Sequence, residues 1–351
     1  MSSSTTVTVP YPPSALNRLF AAIERLPFGG WWVYPLSFLV LLVYISVALW
    51  VMGRLPVGSF ALDGISGSVY GPYTLAAAHY FTRVSGRAID ASRPASGLSD
   101  AEYARRRYEL TTLPAGRLGI LLVVGGVIGV GAILSAPPAA ISTFGGTRAA
   151  AIVAFGPASL FGYGLIAVIL YQTARQLRDV ERFHREATAM DPFDTAPIYA
   201  FSRLTVQIGL GFVFAAYYSL IANPTFQAGN AFSLAVIGTS ITVGVVCFIV
   251  PLWGIHGRLA PEKAALIRGV NLRAQALQDE LYRRVDAANL AGVKDVTDAL
   301  GGVHATREQI ARLPTWPWPP QLLRGFISAI LLPVIVYLIT RFVGGQVRLT
   351  P

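Results

Sequence analysis

Residues Trp31–Met52 read WWVYPLSFLVLLVYISVALWVM and contain no charged side chain. An α-helix rises ~1.5 Å per residue, so about 20 apolar residues cross the ~30 Å hydrocarbon layer of a bilayer. No small-residue cleavage site follows this stretch, so we interpret it as a retained anchor and not as a signal peptide. The stretch therefore predicts an integral membrane protein built from helices.

Five further stretches meet or approach the same length, and none has an Asp, Glu, Lys or Arg in its interior. They are Leu118–Ala136, Ala151–Gln172, Leu204–Ala222, Phe232–Trp253 and Phe326–Phe342. The 351 residues are 54% hydrophobic and 13% charged, and the mean hydropathy is +0.54. A soluble domain with a water-facing surface does not have this composition. We predict an all-α fold, a polytopic transmembrane helical bundle of about six spans.

The connections between these spans alternate in charge. The links at 54–117, 173–203 and 254–325 are rich in arginine, whereas the two other links contain only Arg148 between them. By the positive-inside rule the basic links are cytoplasmic. The predicted organisation is an N-terminal tail and interfacial helix (1–30), a transmembrane bundle with cytoplasmic helical links (31–343) and a C-terminal tail (344–351).

One segment leaves the number of crossings open. Six spans put both termini outside, yet Arg18 and Arg25 precede the first span and favour an N-terminus inside. A seventh crossing within Val57–Thr82 would resolve the conflict. Asp63, Pro72 and four glycines in that stretch instead favour an interfacial or re-entrant segment.

Several helices are predicted outside the spans. Ser99 and Glu102 form a capping-box pattern that begins a helix over Asp100–Leu113, and a further short helix is predicted at Thr306–Leu313. Spans three and five are expected to continue as cytoplasmic helices, because apolar residues recur there at helical spacing. In the extension of span five these residues are Leu266, Val270, Leu277, Leu281 and Val285. We expect the two extensions to pack on each other.

The excess of positive charge indicates the orientation of the chain in a membrane and not nucleic-acid binding. The chain carries 28 Lys and Arg against 18 Asp and Glu, a net charge of +10. This excess lies almost wholly on three alternate links, so it is no nucleic-acid footprint, and its first role is orientation. Arg105, Arg106 and Arg107 are candidate contacts to anionic lipid headgroups. The alternatives are that they only fix the topology or that they bind a protein partner.

Uncharged residues form three further candidate groups. Residues that either line a polar path or bond across helices are Gln207, Tyr217, Tyr218, Thr239, Ser240 and Thr242. Gly125 and Gly129 form a G-x-x-x-G pattern that predicts close helix packing. Tryptophans at span ends, predicted to be interfacial anchors, are Trp31, Trp32, Trp253, Trp316 and Trp318.

The sequence shows no pattern for catalysis or metal binding. No predicted span interior holds an ionisable group, which argues against proton-driven transport. The motifs G-x-S-x-G, H-E-x-x-H and G-x-x-x-x-G-K-[ST] are missing from the sequence, and one cysteine with four scattered histidines predicts no zinc site. His79 and the other histidines are expected to be solvated or interfacial. We therefore predict no catalytic, cofactor or metal site.

Two functions from different classes follow. The first is a non-enzymatic multi-pass membrane protein, a structural or signal-coupling subunit of a membrane assembly. The alternative is an oligomeric channel or passive facilitator lined by the uncharged polar residues, and a membrane-bound enzyme is a distant third. The expected partners are a bilayer with anionic headgroups and either a membrane or cytoplasmic protein or further copies of the chain. The chain has no eukaryotic sorting signal and is compatible with a bacterial plasma membrane.

Overall fold

The computed structural model describes residues 10–136, 141, 146–186, 196–222, 231–316 and 318–346. Within these ranges the chain is all-helical and has no β-strand, so the all-α prediction is confirmed. A short 3-10 turn, Pro27–Gly30, follows the first helix. The α-helices are α1 (Ala15–Glu24), α2 (Val33–Val51), α3 (Leu62–Ser96), α4 (Asp100–Thr111), α5 (Ala115–Ser135), α6 (Arg148–Glu186), α7 (Ala196–Ala222), α8 (Ala231–Asp286), α9 (Val293–Arg312) and α10 (Pro320–Gln346).

Among the described residues, three helical segments are long and apolar enough to cross a membrane. They are α2, α5 and the Arg148–Gln176 part of α6. These segments coincide with the first three predicted spans. The remaining three predicted spans lie within α7, α8 and α10, where the apolar stretches found, Gly238–Val250 and Gln321–Leu332, are shorter.

The segment Val57–Thr82, whose glycines and Pro72 favoured an interfacial or re-entrant segment, is largely helical. From Leu62 onward it belongs to α3, a continuous helix of 35 residues. α3 runs back along α2: a Cβ at Gly64 would meet Ile45, one at Gly71 would meet Leu41, and His79 bonds Tyr34. Pro72 does not break the helix, and Thr74 Oγ1 beside it donates to the carbonyl groups of Tyr70 and Gly71.

α3 lies at the centre of the bundle, between α2, α6 and α7. Its apolar side chains, including Leu75, Ala78 and Phe81, are buried in the main core. Its hydroxyl groups are buried too, and they bond to carbonyl groups of the same helix: Ser68 donates to Gly64 and Ser85 to Phe81. Such back-bonding lets a polar helix lie inside an apolar bundle without unpaired donors.

α5 and α6 pack closely because of glycines. A Cβ at Gly125 would overlap the carbonyl oxygen of Tyr163, and one at Gly129 would lie 3.0 Å from that of Ser159. Across the interface, Gly164 leaves room for Leu122 of α5. The two glycines of the G-x-x-x-G pattern therefore lie within the chain's own helix packing.

The N-terminal segment is fixed to one end of the bundle. The Ser14 amide donates to the Leu113 carbonyl (3.0 Å), and the Ala115 amide donates to Pro12 (3.2 Å). α1 then places Leu16, Phe20 and Ile23 in the main core. We call this end of the bundle, which carries residues 10–30, 83–117 and 171–176, the basic end.

α8 and α9 form an antiparallel hairpin beyond the bundle. α8 is one continuous helix of 56 residues, ~84 Å long. Lys263 of α8 donates to the Ala311 and Leu313 carbonyls at the end of α9. In the apolar stripe of α8, Val270 is buried, and Val296 and Ile310 are buried on α9.

Two details of these links differ from the sequence prediction. α9 begins at Val293 and not at Thr306, because the pair Gly301-Gly302 does not interrupt the helix. α6 continues to Glu186 as one helix in which Pro157 is accommodated. The side chains Leu177, Val180 and Phe183, on which the predicted pairing of α6 with α8 depends, lie outside the described residues.

Candidate functional site

A buried histidine joins three helices at the basic end. His79 of α3 is 5% exposed, and its ring stacks on Phe20 of α1 at 4.6 Å between centroids. Its Nδ1 lies 2.5 Å from the Tyr34 hydroxyl of α2, and its Nε2 lies 3.2 Å from Glu24 Oε1 at the end of α1. A neutral imidazole satisfies both neighbours when Nδ1 accepts from the phenol and Nε2 donates to the carboxylate.

This network leads from the core to a polar pocket. Glu24 Oε1 also forms an ion pair with Arg83, whose Nε lies 3.5 Å away. Arg83 follows His79 by one turn of α3. Beyond Arg83 lies a cavity of about 310 Å³ between α3 and α4. Its lining, which we call the polar pocket, is formed by Glu24, Thr82, Arg83, Gly86, Arg87, Asp90, Arg107 and Thr111.

Helical spacing explains why these groups meet. Arg83, Arg87 and Asp90 follow each other at intervals of three or four residues, so they share one face of α3. α4 supplies Arg107 because the Ser99–Glu102 capping box, which the structure confirms, begins α4 directly after α3. The N-cap hydrogen bonds also lower the pKa of Glu102 below its usual value.

The charges of the pocket are unevenly paired. Arg107 Nε donates to Asp90 Oδ1 at 2.8 Å, and the hydroxyl of Tyr103 donates to the same oxygen. Burial by itself would raise the pKa of Asp90, but the hydrogen bonds from Arg107 and Tyr103 and the nearby arginine charges outweigh it and lower the pKa. Arg87 makes no hydrogen bond or ion pair with any residue that the structure describes.

A second polar cluster fixes the N-terminal segment beside the pocket. Arg175 of α6 donates to the Tyr11 hydroxyl and to the Glu109 and Thr112 carbonyls at the end of α4. Burial raises the pKa of Tyr11 despite the neighbouring arginine. These bonds cap α4, whose last carbonyls have no partner within the helix, so the cluster is structural.

The three predicted lipid-contacting arginines have different surroundings. Arg107 lines the polar pocket with Asp90, and Arg105 lies 4.0 Å from Glu109 on the same helix. Arg106, between them, is half-buried. Of the three, Arg107 lines the polar pocket.

The predicted polar-path residues differ in their surroundings. The Tyr218 hydroxyl donates to the Ser66 carbonyl of α3 at 3.0 Å. Thr239 and Thr242 are exposed on the outer face of α8. Gln207, Tyr217 and Ser240 are half-buried. Thr239 and Thr242, three residues apart, share one face of α8, whereas Tyr218 of α7 bonds to α3.

The predicted tryptophan anchors fall into two groups. Trp31 and Trp253 are 65% and 64% exposed, and Trp32 is 37% exposed. Trp316 and Trp318 instead stack on each other at 4.6 Å, between His256 of α8 and Phe248. His256 Nδ1 also lies 3.0 Å from the Thr315 carbonyl oxygen. The second pair therefore joins the link before α10 to α8.

Neither the burial of His79 nor the pocket was predicted from the sequence. His79 was expected to be solvated or interfacial, because the surrounding stretch does not resemble a span. Glu24, His79 and Arg107 are far apart in the chain, so no local spacing reveals the cluster. The i, i+4, i+7 series Arg83, Arg87 and Asp90 was the available signal.

The described residues include no group of three or more His, Cys, Asp or Glu side chains placed to hold a metal ion. Cys247, the single cysteine, is buried in the main core. Over the ranges that the structure describes, fold and site together define an all-helical protein with three helices long and apolar enough to cross a membrane and a polar pocket at one end. No family model, curated protein or solved structure matches the chain.

Proposed function

We propose that this chain is a seven-span integral membrane protein that acts without catalysis, as a subunit coupling its bundle to a partner protein. The observation that carries the proposal is α8, one unbroken helix that packs in the bundle at one end and forms the α8–α9 hairpin at the other. A force on the hairpin would reach the bundle directly, because no hinge of irregular structure separates the two halves.

The packing of α3 supports seven crossings. α3 runs antiparallel to α2 over the same depth, from the Gly64–Ile45 contact to the His79–Tyr34 bond. Farther along the bundle, Tyr73 of α3 donates to the Gly211 carbonyl of α7 at 2.6 Å. A helix packed between α2, α6 and α7 over this length crosses the same layer that they cross. The seven spans are then α2, α3, α5, α6, α7, α8 and α10.

Seven crossings also remove the conflict in the charge pattern. The N-terminal segment with Arg18 and Arg25 joins the basic end, where Tyr11 bonds Arg175 of α6. All the basic links then lie on one side, which the positive-inside rule assigns to the cytoplasm. The same crossing adds His79 as an ionisable group inside a span, a position where such residues are usually functional.

Single-cysteine labelling tests the topology. In a Cys247→Ser background, Ser59→Cys lies between α2 and α3, and Ser99→Cys lies between α3 and α4. With seven crossings, an impermeant thiol reagent in intact cells labels only Ser59→Cys. Equal labelling of both positions would exclude α3 as a span, because the two sites would then share one side.

The hairpin supports the coupling part of the proposal. Leu272 and Tyr282 on α8 are 66% and 61% exposed, and Leu290 at the tip is 72% exposed. The link from the hairpin back into the bundle is stiffened by the Trp316 and Trp318 stack against α8. Exposed apolar groups on a rigid arm beyond the bundle suit a protein contact.

Purification in nanodiscs tests the coupling function. We expect the native protein to retain a stoichiometric partner, and the double variant Leu272→Asp/Tyr282→Asp to lose it. The matched control is Arg273→Asp, an exposed position that projects from α8 about 100° away from Leu272 and about 180° away from Tyr282, and it should retain the partner. A native protein that is always monomeric and alone would contradict a subunit role.

The oligomeric channel remains a second candidate, and one observation favours it. Thr239 and Thr242 are exposed on the outer face of α8 within the bundle, where a second copy could bury them. Proteoliposomes measure this directly as ion or solute flux across a pH and tension series. The absence of flux at every condition would contradict the channel.

A further inference from the structure

The polar pocket at the basic end has the composition of an anion-binding site. Three arginines, Arg83, Arg87 and Arg107, converge on one cavity of about 310 Å³. Glu24 pairs with Arg83 at 3.5 Å and Asp90 with Arg107 at 2.8 Å. The third guanidinium, that of Arg87, has no partner among the described residues. The pocket therefore has one unbalanced positive charge.

The pairing also organises the two other arginines. Arg107 is held by two contacts to Asp90, from Nε and from Nη2. Both Arg83 and Arg107 keep about half of their side-chain surface exposed, 51% and 48%. Their remaining N–H groups are therefore available to a ligand. Planar guanidinium groups bind phosphate oxygens in pairs, which favours phosphate over a simple monovalent anion.

Gly86 makes the space for such a ligand. It lies on α3 between Arg83 and Arg87, and it is buried at the wall of the pocket. A Cβ there would lie 3.5 Å from Thr111 and 3.7 Å from Arg107, so a methyl group fits and a longer side chain does not. The site can thus be filled by substitution without removing any of its charges.

The surroundings of the pocket place it at the depth of lipid headgroups, a step that rests on the proposed membrane topology. Glu24 in the pocket wall is followed by the Pro27–Gly30 turn and by the exposed rings of Phe28 (88%) and Trp31 (65%). Exposed aromatic rings at a span end favour the interface between hydrocarbon and water. The pocket residues of α3, which begin at Thr82 and Arg83, thus lie at the depth of the phosphate groups of the bilayer.

We propose that the polar pocket binds a phosphate group through Arg83, Arg87 and Arg107, and that this phosphate belongs to an anionic lipid headgroup or to a small soluble phosphate compound. Both sources present the same oxygens to the same guanidinium groups. The bound phosphate would bridge α3 and α4 next to the Glu24–His79–Tyr34 network.

Native mass spectrometry of the full-length protein in detergent tests the site. The probes are inorganic phosphate, dihexanoyl phosphatidylglycerol and, as a zwitterionic comparison, dihexanoyl phosphatidylcholine. We expect Arg87→Gln and Gly86→Leu each to weaken binding of the phosphate-bearing probe about tenfold or more, because a charge-assisted contact or the space is lost. Gly86→Ala and Arg268→Gln, which removes an exposed arginine of α8, should bind as the native protein does.

The outcomes distinguish a lipid headgroup from a soluble phosphate compound, and they distinguish a specific site from unspecific attraction to charge. Saturable binding of phosphatidylglycerol over phosphatidylcholine identifies a lipid headgroup, and equally tight binding of inorganic phosphate identifies a soluble ligand. An equal loss in Arg268→Gln, or unchanged binding in Gly86→Leu, would overturn the site and indicate unspecific attraction to net charge. Failure here leaves partner retention by the hairpin unaffected, because the variants of the two experiments lie on different helices.

Discussion

α2 and α3 are adjacent antiparallel helices with opposite characters. α2 is almost wholly apolar, yet much of it faces outward: Leu39 and Val40 are 51% and 60% exposed. α3 carries serines, threonines and a histidine, yet Ser68 and His79 are 0% and 5% exposed. In a bilayer the outer helix must be apolar because it meets lipid, whereas the central helix meets only protein. Apolar composition therefore identifies the helices at the surface of such a bundle and not the helix at its centre.

The largest expected effect is a loss of stability that depends on whether a leucine is buried, and not on how apolar its helix is. Leu75→Ala on α3 and Leu39→Ala on α2 are the same substitution. Leu75 is 5% exposed, whereas Leu39 is 51% exposed. Leu75→Ala leaves a cavity in the main core and should lower the free energy of unfolding by about 2–5 kcal/mol. Leu39→Ala should change it by less than about 0.5 kcal/mol.

Reversible unfolding in mixed micelles measures both variants. Equal losses at the two positions would mean that α2 is covered by protein, for example by a second copy of the chain. That result would abolish the contrast between an outer and a central helix.

A smaller effect is expected where α2 and α3 are joined. Tyr34→Phe removes the hydroxyl that bonds His79 Nδ1, and should cost about 1 kcal/mol of unfolding free energy. Tyr80→Phe, a neighbour of His79 that is 45% exposed, is the matched control and should be neutral. Faster hydrogen exchange in α1 and α2 of Tyr34→Phe alone would locate the loss. Identical behaviour of the two variants would show that the network does not hold these helices together.

The polar end of α3 should respond to pH. The pKa of Asp90 is lowered in the folded chain, below the ~4 of an unfolded chain. Ionised Asp90 therefore stabilises the α3–α4 contact above that unfolded value, and the stability is lost as the pH falls through the lower native pKa. Asp90 is 45% exposed, so less than about 1 kcal/mol is expected.

Hydrogen exchange of α4 between pH 7 and pH 3 measures this loss, at roughly the range where a carboxyl titrates. Asp90→Asn should remove the pH dependence of α4, and Asp279→Asn on the hairpin should preserve it. A dependence that persists in Asp90→Asn would assign it to another acid.

The smallest effect concerns the buried hydroxyl groups of α3. Ser68 donates at 2.6 Å to Gly64 of its own helix and is fully buried. Ser68→Ala removes a bond within one helix, so the loss should stay below about 0.6 kcal/mol. A thermal unfolding midpoint close to that of the native protein would agree. A large loss would show that Ser68 holds a neighbouring helix instead.

Sequence and structure agree where a residue's role depends on its neighbours along the chain. The apolar stretches that became α2, α5 and α6 were predicted within a few residues, and so was the Ser99–Glu102 cap. They differ where the role depends on distant partners. The length of α9 was underestimated, because Gly301-Gly302 stays helical with α8 packed alongside.

The candidate site shows the same division. The spacing of Arg83, Arg87 and Asp90, three or four residues apart, is a signal that the sequence contains but that was not used to predict a site. The role of Arg107 has no such signal, because its partner Asp90 lies on another helix at 2.8 Å. His79 was misjudged for the same reason, since its partners Glu24 and Tyr34 precede it by more than 40 residues.

The sequence by itself determined that the chain is helical, with stretches long and apolar enough to cross a membrane and with its basic residues concentrated in three links. The physical reason is local: hydrocarbon excludes charge and demands internally bonded backbone, so composition within a single stretch is enough. Only the tertiary structure decided that α3 is central and that three arginines share a pocket with one charge unmatched. A polar helix can lie in the bundle only when other helices shield it from lipid. The helices that shield α3 are distant from it in the sequence, so the composition of a short stretch cannot predict that it is shielded.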